Sequence, residues 1–387
     1  MVRKKGVYGI AIVALICFLL IVFCTKEPDT VRISHNFQAI EFEDVDVIGE
    51  DISIDKIIDT QRLRLERKFD VFKFVTNKTF NKLSMLSGGQ PLRTIIVTTW
   101  RSGSTFLGDV LNSLPGNYYH YEPLLHYGIM QIRGPPHADT AIKTLKNLLN
   151  CDYTDLENYL TFGMSHIYLF THNKRLWTQC EAYPQYCWNA TFLNEFCRLF
   201  PFQSMKVVRV RLRLIEELLS DKRLNTKVIL LVRDPRGTLQ SRRHRDWCPG
   251  EPDCDRPDLL CADMVSDYSA AIKFNKMYSR RFRTLRYEDL SLSPYKVVQD
   301  LFDWIGINVH PEIKEFLDTH TTVNVGGVSS TYRDSKNVPF HWKNDLNYTE
   351  IQSIEATCEE AMKLWGYVKT KGPKLRDFNP LTSYTIK

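Results

Sequence analysis

Two segments of the chain set cationic and hydroxyl side chains beside glycine directly after apolar runs, a pattern suited to gripping a multiply charged anion. The first reads Thr94-Ile-Ile-Val-Thr-Thr-Trp-Arg101-Ser102-Gly103-Ser104-Thr105-Phe106-Leu107. A β-branched run, a tight polar turn and an amphipathic stretch predict strand, loop and helix in that order. Backbone N–H groups converging at the helix mouth, the helix dipole and the hydroxyls of Ser102, Ser104 and Thr105 favour an anion there, with Arg101 as a fixed cation. The same turn also fits an ordinary N-cap on Ser104 or Thr105. A nucleoside triphosphatase loop is disfavoured because Gly-x-x-x-x-Gly-Lys-[Ser/Thr] is absent.

The second segment is Val228-Ile-Leu-Leu-Val232 followed by Arg233-Asp-Pro-Arg-Gly-Thr-Leu-Gln-Ser241. A helix beginning near Pro235 leaves Arg233 at the strand's carboxyl end and Ser241 roughly two turns further on, a spacing that presents both to one phosphate group. The alternative is a capped helix with solvated arginines. Between the two segments lies His120-Tyr-Glu122-Pro-Leu-Leu-His126. Its carboxylate is a candidate proton acceptor, with His120 and His126 as alternatives because imidazole titrates near neutral pH.

These residues need a scaffold that brings strand ends together. Short β-branched runs alternate with amphipathic segments from Leu92 onward, which predicts an α/β fold with a central, mostly parallel sheet flanked by helices. Strands are expected at Thr94 to Thr99, Met205 to Val210, Lys227 to Val232 and Arg283 to Tyr287. Helices are expected at Thr105 to Leu114 and Tyr295 to Ile305, each with its apolar residues on one face. With 387 residues, 43% hydrophobic and 25% charged, the chain can bury one large core. Its net charge of +6 is scattered rather than blocked, so nucleic-acid coating is not indicated.

The amino-terminal region reads as a membrane anchor. Val7 to Cys24 is uncharged and mostly apolar, long enough as a helix to cross a bilayer core of about 30 Å, and Arg3, Lys4 and Lys5 before it place the short tail in the cytosol. The expected organisation is a cytoplasmic tail (1–6), an anchor (7–24), a luminal stem (25–90), a catalytic-size domain (91–371) and a tail (372–387). A cleaved signal peptide is the alternative, and either reading exports the body. Sequons at Asn77, Asn189 and Asn347 agree, as do eight cysteines outside the anchor, an even number suited to disulfides. Cys248 with Cys254 is the best local pairing, and zinc is disfavoured because no close Cys-x-x-Cys pair has His partners.

Arg101-Ser-Gly-Ser-Thr-Phe-Leu resembles the 5′-phosphosulfate loop, and Val232-Arg-Asp-Pro-Arg-Gly-Thr-Leu-Gln-Ser-Arg the 3′-phosphate motif, of Golgi carbohydrate sulfotransferases. The likeness is to the galactose, N-acetylgalactosamine and N-acetylglucosamine 6-O-sulfotransferase branch. It extends through Tyr121-Glu-Pro-Leu, Leu285-Arg-Tyr-Glu-Asp-Leu, Phe340-His-Trp-Lys and Ala361-Met-Lys-Leu-Trp-Gly-Tyr367, roughly Leu92 to Tyr367. The resemblance implies a P-loop-like sulfotransferase fold, 3′-phosphoadenosine 5′-phosphosulfate (PAPS) as donor, no metal, and a glycan acceptor on glycoprotein or proteoglycan. It implies a single-pass type II enzyme of the Golgi membrane, compatible with a homodimer. Residues Arg101, Ser102, Gly103, Ser104, Thr105 and Phe106 would hold the 5′-phosphosulfate, Arg233 and Ser241 the 3′-phosphate, and Glu122 would be the base, with Arg101 and His126 as further catalytic candidates. Arg209, Arg211 and Arg213, alternating with Val210, Leu212 and Leu214, could meet anionic sugars or face solvent.

Two other classes compete. A metal-dependent luminal glycosyltransferase needs an Asp-x-Asp pair, and Asp44-Val-Asp46 fits that only within the acidic stem. A noncatalytic glycan-binding membrane protein would account for the many aromatics, which also fill cores.

Overall fold

The computed structural model describes residues 52–72, 78–322, 331–332, 334–384 and 386. The expected anchor at Val7 to Cys24, the Asp44-Val-Asp46 pair and Asn77 lie outside these residues. Among the described residues no helix is long and apolar enough to cross a membrane.

Five strands, β1 (Leu92–Val97), β2 (Asn117–Tyr121), β3 (Phe202–Val207), β4 (Thr226–Val232) and β5 (Phe282–Arg286), form one sheet in the order β2-β3-β1-β4-β5. Every pairing is parallel. Sheets of this kind are covered on both faces, which is why β1 and β4 read as nearly unbroken apolar runs. The strands begin one to three residues earlier than their patterns predict. β2, Asn-Tyr-Tyr-His-Tyr, has no β-branched residue and was not expected.

The predicted amphipathic faces are buried. Helix α2 (Ser104–Asn112) sets Leu107, Val110 and Leu111 against Ile96, and the later helix Pro294–Ile305 adds Val298, Leu301, Phe302 and Ile305 to the same core. Burying each such side chain contributes about 1.5–3 kcal/mol before entropy is counted. An earlier helix, α1 (Ile54–Phe72), lies within the stretch read as stem. Its Ile57, Ile58 and Phe69 are buried, Phe69 against Phe80 and Phe202, and Ser53–Lys387 form one compact unit.

All eight cysteines outside the expected anchor are paired: Cys151–Cys197, Cys180–Cys187, Cys248–Cys254 and Cys261–Cys358. The local Cys248–Cys254 bridge matches its expectation. Asn189 and Asn347 are exposed, and each caps a helix by accepting from a backbone N–H with Oδ1.

The chain leaves β1 toward β2 and β3, then returns to β4 on the opposite flank of β1. The strand order therefore reverses at β1, and the crevice beyond its carboxyl end is where open parallel sheets bind ligands. The turns after β1, β2, β4 and β5 all open there.

Candidate active site

A cavity of about 1230 Å³ occupies that crevice. Among the described residues its lining includes Arg101, Gly103, Ser104, Thr105, Phe106, Glu122, His126, Arg233 and Ser241. Nine of the ten residues expected from the sequence thus meet in one space, although they derive from three separate segments. The exception is Ser102, which is fully buried. Its Oγ lies 2.7 Å from Thr98 Oγ1, and Thr98 donates its one proton to the Leu231 carbonyl at 2.6 Å. Ser102 must then donate to Thr98, so its side chain ties the loop to β4 and only its backbone remains for a ligand.

The two motifs are bonded to each other. Arg101 Nε donates to Ser241 Oγ at 3.0 Å, and Arg233 NH1 donates to the Arg101 carbonyl at 2.7 Å. Tyr287, just after β5, touches both: the Arg233 guanidinium lies 4.8 Å from its ring centre, and a Cβ on Gly103 would come within 2.2 Å of it. Gly103 also has φ 88°, where a side chain is strained, so glycine is required twice over. Arg233 Nε is buried with no partner among the described residues, an open donor of the kind an anion satisfies.

Helix α3 (Pro235–Arg243) begins as expected, with Pro235 in its first turn and Asp234 accepting from the Arg236 N–H. Its arginines are not solvated. Arg236 is fully buried between Asp234 (2.7 Å) and Glu355 (2.6 Å), over the Trp342 ring. Arg242, also buried, donates to Thr99 Oγ1 and to the Trp100 and Cys254 carbonyls. It thereby connects the first loop to the Cys248–Cys254 turn.

The other half of the cavity follows β2 and β3. Glu122 is held by Lys206 Nζ at 2.9 Å and Arg209 NH1 at 2.8 Å. Burial alone would raise its carboxyl pKa, but the two cations overturn that and hold it at about 2. Lys206 is likewise kept charged against burial by Glu122 and Tyr121, and its Nζ reaches Thr105 Oγ1 at 3.3 Å. One ammonium thus spans the anion loop and the carboxylate. Arg101 (φ 63°) and Glu122 (φ 42°) are two of only four non-glycine residues with positive φ among the described residues, so backbone strain of about 1–3 kcal/mol each concentrates here.

Several expectations change. His120 lies on the face of β2 opposite Tyr121 and Lys206, fully buried against Tyr118 and not part of the cavity lining, so it is not placed to serve as the base; burial pushes its pKa down to about 3. His126 does line the cavity, and burial followed by the Arg209 charge lowers its pKa. The Arg209 to Arg213 alternation is not a solvated strip, and of the three arginines only Arg209 lines the cavity. Arg209 is buried on Glu122, Arg211 is buried 3.2 Å from Asp267, and only Arg213 is exposed. Lys206 was not anticipated, since one lysine inside an apolar strand carries no local signal of the carboxylate 84 positions earlier.

A strand-loop-helix turn at the sheet's reversal point, a second motif locked to it and a cation-held carboxylate opposite thus share one cavity. The chain matches the sulfotransferase domain family over residues 91–366 and belongs to it; the protein is a sulfotransferase. It is 26% identical to carbohydrate sulfotransferase 5 of Mus musculus over 72% of this chain and 81% of that one, and 26% identical to carbohydrate sulfotransferase 6 of Homo sapiens over 73% and 82%. Carbohydrate sulfotransferase 3 of Mus musculus is also 26% identical, over 70% and 67%. Among solved structures, a mouse sulfotransferase complexed with PAP aligns with 70% of this chain and 85% of its own at 10% identity and TM-score 0.36, too distant to inform individual positions.

Proposed function

We propose that this enzyme transfers the sulfuryl group of PAPS to a sugar hydroxyl, the 6-hydroxyl of N-acetylglucosamine or of galactose or N-acetylgalactosamine, in glycans of glycoproteins or proteoglycans. The observation that carries this reading is the mutual bonding of the two anion motifs around one cavity that also contains Glu122. In it, residues 101–106 hold the 5′-phosphosulfate through backbone N–H groups and the Arg101, Ser104 and Thr105 side chains, while Arg233 and Ser241 hold the 3′-phosphate. The cavity is lined by five cationic side chains and two carboxylates among the described residues, a balance suited to a polyanion.

The acceptor oxygen attacks sulfur, the bond from sulfur to the 5′-phosphate oxygen breaks, and 3′-phosphoadenosine 5′-phosphate (PAP) leaves. The acceptor proton passes to Glu122. A carboxylate held near 2 is a weak base in the resting site, and Lys206 supplies the remedy. Its ammonium already reaches Thr105, so an arriving sulfonate draws it from Glu122 and raises the basicity of the carboxylate as charge builds on the transferring group. His126 is the second candidate base, because its lowered pKa leaves it neutral with a free lone pair near pH 7.

Localisation follows the same reading: Val7 to Cys24 anchors a type II Golgi protein with a luminal catalytic domain. Four disulfides support an oxidising compartment. Purified protein incubated with radiolabelled PAPS, N-acetylglucosamine-terminated or galactose-terminated glycans and EDTA tests the function. Labelled glycan without added metal is expected, and its absence with every acceptor would overturn the reading.

A further inference from the structure

Donor and acceptor must share the cavity, and the donor motifs account for only one side of it. Exposed large apolar side chains are few on the described surface, and just two of them line the cavity: Tyr168, 43% exposed, and Trp247, 40% exposed. Both are aromatic. Isolated exposed apolar residues need no explanation, but two rings at the lip of one cavity, each fixed by neighbouring structure, do.

Trp247 lies between the end of α3 and Cys248, whose disulfide to Cys254 is buried. The segment is a run of tight turns, with Cys248 N–H donating to the Arg245 carbonyl and Cys254 N–H to the Glu251 carbonyl. Arg242 clamps the Cys254 carbonyl from beneath. The Trp247 ring meets Trp100 edge-on at 6.3 Å, and the Trp100 ring in turn carries Arg209, the residue that holds Glu122. Trp247 is therefore linked to the carboxylate through Trp100 and Arg209, on a segment closed by a buried disulfide. Tyr168 opens a short helix between β2 and β3, beside the Phe162–His166 ring stack, and its hydroxyl feels the charges of Glu122 and Arg209.

We propose that Tyr168 and Trp247 are the aromatic walls of an acceptor subsite, packing against the faces of pyranose rings in a glycan chain whose reacting hydroxyl sits at Glu122. One face of a pyranose is rich in C–H groups while its hydroxyls point outward, so a rigid ring with an apolar body matches it at little entropic cost. Tyr168 flanks the reacting sugar, and Trp247 takes the next sugar along. The enzyme then prefers a chain to a single sugar, and the segment that follows the second anion motif sets that preference. The proposal rests on the carbohydrate-acceptor reading above.

The test compares Trp247→Ala, Trp247→Phe and Tyr168→Ala with wild type, using a tetrasaccharide acceptor and its single-sugar glycoside, with PAP affinity measured by calorimetry as a check on folding. Trp247→Ala should raise the KM for the tetrasaccharide about tenfold while changing kcat less than twofold, and should raise the KM for the single sugar much less. Trp247→Phe should recover most of the loss, and Tyr168→Ala should raise both KM values. Tetrasaccharide addition should quench tryptophan fluorescence in wild type and not in Trp247→Phe. An unaltered tetrasaccharide KM in Trp247→Ala, or an equal rise for both acceptors, overturns the assignment. Wild type that binds PAP yet sulfates no glycan would instead overturn the acceptor reading itself.

Discussion

The two halves of the cavity handle charge in opposite ways. At the tips of β1 and β4 the guanidinium groups reach neutral oxygens, Arg101 the Ser241 hydroxyl and Arg233 a backbone carbonyl. At the tips of β2 and β3, Lys206 and Arg209 converge on the Glu122 carboxylate. On the function proposed above, the first half is the one that meets the incoming anion. The second has already spent its charge on a group that can take a proton. On the proposed function, donor and acceptor take opposite sides, with Lys206 between them, since it touches Thr105 as well as Glu122.

Removing the charged group of the second half tests the contrast most severely. Glu122→Gln should lower turnover by about two to four orders of magnitude while PAP affinity stays near wild type. If turnover is unchanged, the proton goes to His126 and the second half has been misread. Lys206→Met is expected to cost about two orders of magnitude in turnover and to lower the melting temperature, since it strips one partner from a buried pair. A loss confined to stability, with normal turnover in the folded fraction, would remove Lys206 from the boundary role.

Variants of the first half should act on binding instead. Arg233→Ala is expected to weaken PAPS binding by about 1.5–3 kcal/mol, as read by calorimetry, and equal affinities would separate Arg233 from the donor. The smallest effect concerns Glu288, which accepts from the Asp234 N–H and Tyr367 hydroxyl behind Arg233. Burial first, then the Asp234 charge, pushes its pKa up to about 7. Below pH 7 it is neutral; as pH rises through 7 it ionises and offsets part of the Arg233 field. PAP affinity should therefore fall about threefold more steeply in wild type than in Glu288→Gln between pH 6.5 and 8. Parallel curves would show that the first half is insulated from this carboxyl.

The same division governs what could be read in advance. The β1 and β4 motifs are local: strand, turn, cap and cation follow one another within about a dozen residues, so type and spacing reveal them. β1 and β4 are legible as β-branched runs, and β3 and β5 only as short segments shifted by one to three residues. β2 is not, because its stability comes from rings and hydroxyls meeting distant partners, such as Tyr118 with the Tyr153 hydroxyl at 3.1 Å. The second half depends on pairs far apart in sequence. Nothing near Arg209 or Arg211 announces Glu122 or Asp267, so an alternating strip that also fits a wet surface has two of its three arginines buried on acidic partners. Ser102 shows the converse: a hydroxyl in the right motif whose proton is used by Thr98.

The crossed bonds between the Arg101 and Arg233 segments have an evolutionary corollary. Each segment supplies the geometry that the other needs, so neither can drift or be exchanged singly without unsettling its counterpart. A chimera that imports one of them from a relative should fail until the matching piece travels with it, making the pair, rather than either motif, the unit that is inherited together.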